Sequence, residues 1–224
     1  MLTVLLFINL SLWQFDRLSE KKEQNRLVET ISNNEPAALD SLEGVNALEE
    51  FSPIEDSVTI VNNDLIRVVN RSLNGQAGEH VVALAKTDSG FHVLLNRGFV
   101  ALNTDLTEDF ALDKKILIEG WIRNSVEKDT FGVQDSLSPE QAPRFDVDAI
   151  SKRLDPEIEL AQVWVQLKEN ETISKNSIPT PVDLPERTEG SHLSYAMQWL
   201  IFSLLTLIFY YFILKRKSSI QIQV

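Results

Sequence analysis

His192-Leu193-Ser194-Tyr195-Ala196-Met197-Gln198-Trp199 runs without a break into the apolar stretch Leu200–Leu214 and then into Lys215-Arg216-Lys217. No residue from Tyr195 to Leu214 is charged. At about 1.5 Å per residue, about 20 residues cover roughly 30 Å, the thickness of a bilayer's hydrocarbon core. Leu, Ile and Phe dominate Leu200–Leu214. At about −0.3 to −0.6 kcal/mol each, they supply on the order of −3 to −7 kcal/mol for insertion. The stretch therefore reads as a membrane-spanning helix rather than a buried helix of a soluble core. Its polar entrance is less ordinary, because an anchor has no need of a His beside Tyr, Gln and Trp.

A second hydrophobic segment, Met1 to Trp13, opens the chain. It is shorter than the ~17–25 residues of a full span. It lacks a basic residue before the apolar run and a small-x-small cleavage site after it, both of which a signal peptide needs. The preferred reading is a transmembrane helix whose first turns are missing. The basic tail places the C-terminus in the cytoplasm by the positive-inside rule. With two spans, the region between them then lies outside. Arg17, Lys21, Lys22 and Arg26 follow the first segment directly and pull the other way; the tail is given the greater weight.

The chain has 224 residues, net charge −12, no Cys and three His. Disulfides, thiolate metal sites, cysteine nucleophiles and covalent c-type haem are excluded. The tail is purely basic, so the rest carries three more negative charges than the net figure. Such a surface repels nucleic acid, which is not expected as a partner. No Gly-x-Ser-x-Gly, phosphate loop or His-Glu-x-x-His is present, and no catalytic residue is assigned.

Between the hydrophobic ends the pattern changes twice. Phe15, Leu18, Leu27, Val28 and Ile31 continue a helical pattern out of the first span, which Asn33-Asn34-Glu35-Pro36 stops. From about Val58 the residues are β-branched: Val58–Val61 and Leu65–Asn70 read as strands, with a turn-rich Leu73-Asn74-Gly75 and Gly78 after them. His80–Lys86 and Phe91–Leu102 flank the hairpin signal Thr87-Asp88-Ser89-Gly90. Lys115–Arg123 and Ala161–Lys168 are further strands, and Asp146–Leu154 a short helix. The expected organisation is a first transmembrane helix over 1–13, N-terminally incomplete, and a helical extension and linker over 14–55. A β-rich extracytoplasmic domain over 56–168 follows, then a Pro-containing linker over 169–191, a second transmembrane helix over 192–214 and a basic cytoplasmic tail over 215–224. The fold class is a membrane protein of α+β type, two transmembrane helices flanking a mainly antiparallel, barrel-like β domain.

Several phrases, in order along nearly the whole chain, resemble the surfeit locus protein one (Shy) family, in its bacterial form. They are Trp13-Gln14-Phe15-Asp16-Arg17, Asn70 to Val82 with Gly75 and Gly78, Leu95-Asn96-Arg97-Gly98-Phe99-Val100, Ile118-Glu119-Gly120 before Arg123, and above all His192 to Trp199. Ser11, Phe99, Ala101 and the Pro-less Ala83-Leu84 depart from the family pattern. The resemblance implies a membrane-bound assembly factor for the haem–copper cytochrome c oxidase. It would bind haem a transiently and assist its insertion into cytochrome c oxidase subunit I, with haem a synthase a second partner and membrane lipid around it. It also implies His192 as a haem-iron ligand. A bacterial plasma membrane, with the chain multi-pass and its central domain extracytoplasmic, is preferred to the mitochondrial inner membrane because no basic, Ser-rich presequence is present. A haem-free scaffold in oxidase assembly is the alternative.

On a helix, His192, Tyr195, Ala196 and Trp199 share one face. On the residues alone an interfacial aromatic belt is the preferred reading; with the resemblance, a haem site is, with Tyr195 and Trp199 packing on the porphyrin. Gln198 lies roughly 9 Å deeper than His192 and is expected to pair with Gln14 of the first helix, with contact to haem second. Trp13 lies beside Gln14. Arg17 suits a haem propionate or a lipid phosphate, whereas Arg97 is read as an internal ion-pair residue. His80 and His92 are read as ordinary domain residues.

Overall fold

The computed structural model describes residues 2–104, 113–127, 140–153, 158–171, 173 and 178–221, with the backbone alone at 62–65 and 217–221. Its elements are α1 (Leu2–Ser32), α2 (Leu42–Asn46), β1 (Pro53–Leu73), β2 (Gln76–Thr87), β3 (His92–Ala101), β4 (Lys115–Asn124), β5 (Gln141–Ala142), α3 (Val147–Ser151), β6 (Leu160–Leu167) and α4 (His192–Gln221). They form two compact units, Thr30–Leu184 and the pairing of Met1–Glu29 with Pro185–Val224.

The central unit is a closed barrel of five strands. β1 pairs with both β2 and β4, β2 with β3, β3 with β6 and β6 with β4, so the ring has no free edge. Around the ring all pairings are antiparallel except β3–β6, and outside it the short β5 pairs parallel with β1. The mainly antiparallel, barrel-like expectation is thus met, apart from those two parallel pairs. The 21-residue β1 joins what the sequence divides into two strands at Val61 and Leu65. Register shifts between Ile60 and Arg71 bend it, and bulges of this kind let one strand serve two neighbours around a small barrel.

Alternation along the strands sorts the apolar residues into two cores. One contains Val58, Ile60, Ala83, Ala85, Val93, Leu95, Ile118, Ile122, Val163 and Val165. The other contains Val68, Val82, Leu84, Leu94 and Trp164 and is covered by Phe145, Val147 and Ile150 from the α3 segment. Phe145 stacks on Trp164, with centroids 3.9 Å apart and planes at 10°. Asp146 caps α3 by accepting from the Ala149 N–H, and Ser41 caps α2 in the same way at Gly44. Leu154, which the sequence places at the end of α3, lies outside the described residues, as do 172 and 174–177 of the expected linker and 222–224 of the tail.

Gly98 shows why its position takes no side chain. Its φ is +131°, and a Cβ would come 2.1 Å from the Thr180 carbonyl oxygen. The approach is that close because Phe99 and Thr180 exchange both backbone hydrogen bonds, at 2.8 and 2.9 Å. Arg97 is the extra residue of a bulge opposite Val81 and Val82, and it is buried. Burial lowers its pKa to about 10. His80, on β2, contacts the side-chain amide of Asn96 at 3.1 Å.

One helix among the described residues is long and apolar enough to cross a membrane. It runs from His192 to Arg216 within α4, with mean hydropathy 1.9. Residues 2–13 are helical as the first part of the continuous 31-residue α1, whose apolar portion gives way to Asp16 and Arg17. The expectation of two spanning helices is therefore met once by length and hydropathy.

Candidate functional site

In the helical unit α1 and α4 run antiparallel along a narrow seam. From α1 it takes Val4, Phe7, Ser11, Gln14 and Leu18, a spacing of three and four that keeps one stripe of a helix in contact with a neighbour. From α4 it takes His192, Ala196, Trp199 and Ser203, with the same spacing. The centre of the seam is small. Ser11 is 1% exposed and Ala196 0%, and the Ser11 hydroxyl donates to the Ala196 carbonyl at 2.9 Å. Small residues let helix backbones approach closely, as in packed membrane helices. Serine fits at position 11 because its hydroxyl is spent on that carbonyl.

Toward the deeper end, Phe7 stacks on Trp199 at 5.6 Å and 25° and meets Phe202 at 6.0 Å. Toward the α4 N-terminus, His192 Nδ1 lies 2.9 Å from the amide oxygen of Gln14, a partner 178 residues away in sequence. With a carbonyl oxygen facing it, Nδ1 carries the hydrogen and donates. The ring's other nitrogen, Nε2, then holds a free lone pair. That edge of the imidazole faces Gly190, whose φ is +67° and on which an added Cβ would stand 3.8 Å from Nε2. Just beyond, Lys22 and Glu189 pair at 3.4 Å and the Asn25 amide donates to the Thr188 carbonyl at 3.2 Å.

The seam corrects two expectations. Gln14 pairs with His192, not with Gln198, which lies exposed on another face of α4. Gln198 follows Ala196 by two residues, and about 200° of helical turn carries it away from α1. Tyr195, 49% exposed, likewise does not share the packed stripe of His192, Ala196 and Trp199. Trp199 has its face against Phe7. Trp13 is exposed beside Arg17, whose guanidinium lies 5.7 Å from the indole centroid and bonds Glu20 at 2.7 Å. Arg17–Glu20 is a surface pair of the kind worth little in water, so it leaves the guanidinium open to exchange. The sequence misses the Gln14–His192 bond because it reads each helix alone. The signal that finds it is the matching three-four stripe on both helices, with a polar residue on each at the same level.

A haem is testable against these residues. Histidine ligands of metals characteristically donate their second ring nitrogen to an oxygen acceptor, which fixes the tautomer and the ring orientation. Gln14 gives the half-buried His192 ring that arrangement. The helical unit contains no other His, and no group of three or more His, Asp or Glu is poised for a bare metal ion among the described residues. The donor set thus fits a single axial nitrogen better than a multi-carboxylate metal site.

Closed barrel, apolar helix and polar seam define a small β-barrel unit joined in sequence to a helical pair. A model of the SURF1 family matches residues 1–204, and the chain belongs to the SURF1 family. That family consists of membrane-associated assembly factors of cytochrome c oxidase and is not a known family of enzymes. No curated protein matches the chain.

Proposed function

We propose that this chain binds haem a during assembly of the haem–copper cytochrome c oxidase and assists its insertion into subunit I, without turnover of its own. The observation that carries the reading is the 2.9 Å bond between Gln14 and His192 Nδ1, which leaves Nε2 with a lone pair, as a metal-ligating imidazole requires. Haem a, when bound, supplies an iron that takes a neutral imidazole nitrogen and a flat macrocycle suited to aromatic neighbours. Trp13 and Tyr195, exposed near His192 along their helices, supply aromatic surface, and Arg17 supplies a guanidinium for a propionate. Gln198 is left for a haem substituent or for a partner helix. Trp199 acts indirectly, by holding α4 against Phe7.

Both α1 and α4 cross the membrane in this reading, with the barrel outside the cytoplasm of a bacterial cell. A reporter fused after Val224 then behaves as cytoplasmic, and an exported signal contradicts the orientation. The second reading is a scaffold that contacts the oxidase and never holds haem. The two separate on one preparation: the chain co-produced with haem a synthesis, purified in detergent and examined in the visible region. A stoichiometric haem a band supports binding; wild-type protein without one supports the scaffold.

A further inference from the structure

The barrel carries a cleft of about 310 Å³ at the β1–β2 hairpin, lined by Val69, Asn70, Arg71, Ala77, Glu79 and Leu102, with Gly78 and Gln141 completing it. Asn70, with φ +58°, makes a left-handed bulge in β1, and the register slips between Val68 and Arg71. Bulges re-aim the side chain that follows them. Here that side chain is Arg71.

Arg71 differs from three arginines of its unit that face carboxylates. Arg67 pairs with Glu79 at 3.3 Å, Arg123 with Glu50 at 3.0 Å and Arg144 with Asp146 at 4.0 Å. Among the described residues Arg71 has no carboxylate partner, and its Nε is buried without an acceptor. Its one contact of note is the Phe145 ring, 5.9 Å from the guanidinium carbon. That contact uses the face of the guanidinium and leaves its N–H groups, which point in the plane, unused. Burial lowers the Arg71 pKa, and its charge in turn lowers that of His80. The chain has 33 acidic residues against 21 Lys and Arg, yet none of the described carboxylates pairs with this half-buried arginine.

We propose that the Arg71 cleft binds a carboxylate carried on an apolar body. The fork of guanidinium N–H groups matches the two oxygens of a carboxylate. Val69, Ala77 and Leu102 give the cleft apolar walls for the attached group. Glu79, already held by Arg67 and by Gln141 at 3.4 Å, adds negative charge to the lining. One free guanidinium beside it suits a monoanion, whereas a phosphate dianion would face an excess of negative charge. The acidity of the whole domain also repels free dianions. The carboxylate belongs either to a small amphipathic acid or to the C-terminus of a peptide.

The test uses the full chain in detergent and follows the arginine Nε–Hε resonances by NMR. The probes are acetyl-leucine, acetyl-leucyl-leucine, acetyl-leucine amide and inorganic phosphate. The expected result is a saturable shift of one arginine resonance with a carboxylate probe and none with the amide. Stronger binding of the dipeptide than of acetyl-leucine assigns the ligand to a peptide terminus, and equal or weaker binding to a small acid; both support the cleft. Arg71→Gln should abolish the shift. Ala77→Trp, at an exposed position on the rim, should weaken binding at least tenfold with an unchanged thermal midpoint. It guards against misfolding of the first variant. Absence of saturable binding, tighter binding of phosphate, equal binding of the amide, or undiminished binding in folded Ala77→Trp overturns the proposal.

Discussion

The imidazole of His192 is committed on one side only. Its Nδ1 is held by Gln14 and its Nε2 is left with a lone pair, an asymmetry that defines what the ring can do. A water-exposed interfacial histidine would exchange both nitrogens with solvent and have no fixed tautomer. Replacing Gln14 therefore acts on the ligand without touching it. Gln14→Leu keeps the shape of the seam and removes the acceptor, and is expected to weaken haem a binding by about 10- to 100-fold, as loss of such supporting groups does elsewhere. Haem titration of the purified variant measures it. Gln14→Glu, which restores an oxygen acceptor, should recover most of the affinity. Equal affinity of wild type and Gln14→Leu would remove the supporting role of Gln14.

Between α1 and α4 the closest approach is set by the absence of bulk. Ala196 is fully buried beneath Ser11, so there is no room for a larger side chain at that level. Ala196→Leu would push the helices apart, break the Ser11 hydroxyl's bond to the carbonyl and unstack Phe7 from Trp199. Overpacking of this kind costs about 1–3 kcal/mol. The expected result is a lower thermal midpoint for the helical signal in detergent, with Ala196→Gly close to wild type. If Leu and Gly behave alike, the seam is looser than its geometry. At this level the chain sequence is readable in part. The apolar run of α4 announces a span by its length alone. The partner of each seam residue is not announced, because Gln14 and His192 sit at opposite ends of the chain and nothing local couples them. Assigning Gln198 to Gln14 matched two amides by type, whereas the 100° turn per residue puts Gln198 on another face.

Across the barrel unit, His80 gives a pH effect in the acid range. Burial, and then the charge of Arg71, lower its pKa from 6.5 to about 4. A histidine with a depressed folded pKa is held neutral in the fold while the unfolded chain takes up a proton. Its contribution is fully present above about pH 6.5 and is lost as pH falls toward about 4. The full shift corresponds to on the order of 3 kcal/mol. Unfolding of wild type should weaken through that window, and the difference between wild type and His80→Gln should change by an amount of that order. A pH-independent difference would contradict the burial of His80. The fold of this unit follows from alternation in β2, β3, β4 and β6, which is local and visible in the residues. Closure of the ring is not local. It depends on β1 bending at its bulges to reach both β2 and β4, and the sequence, read in short windows, divides that strand in two.

Oxidase assembly follows from family membership, and the step left to experiment is whether His192 holds the haem. Wild type and His192→Ala, each co-produced with haem a synthesis and purified side by side in detergent, decide it through their visible spectra. The expected result is a stoichiometric haem a band in wild type that is lost or shifted in His192→Ala, with both proteins equally folded. A wild-type protein without haem a, or a variant with an unchanged band, contradicts ligation by His192.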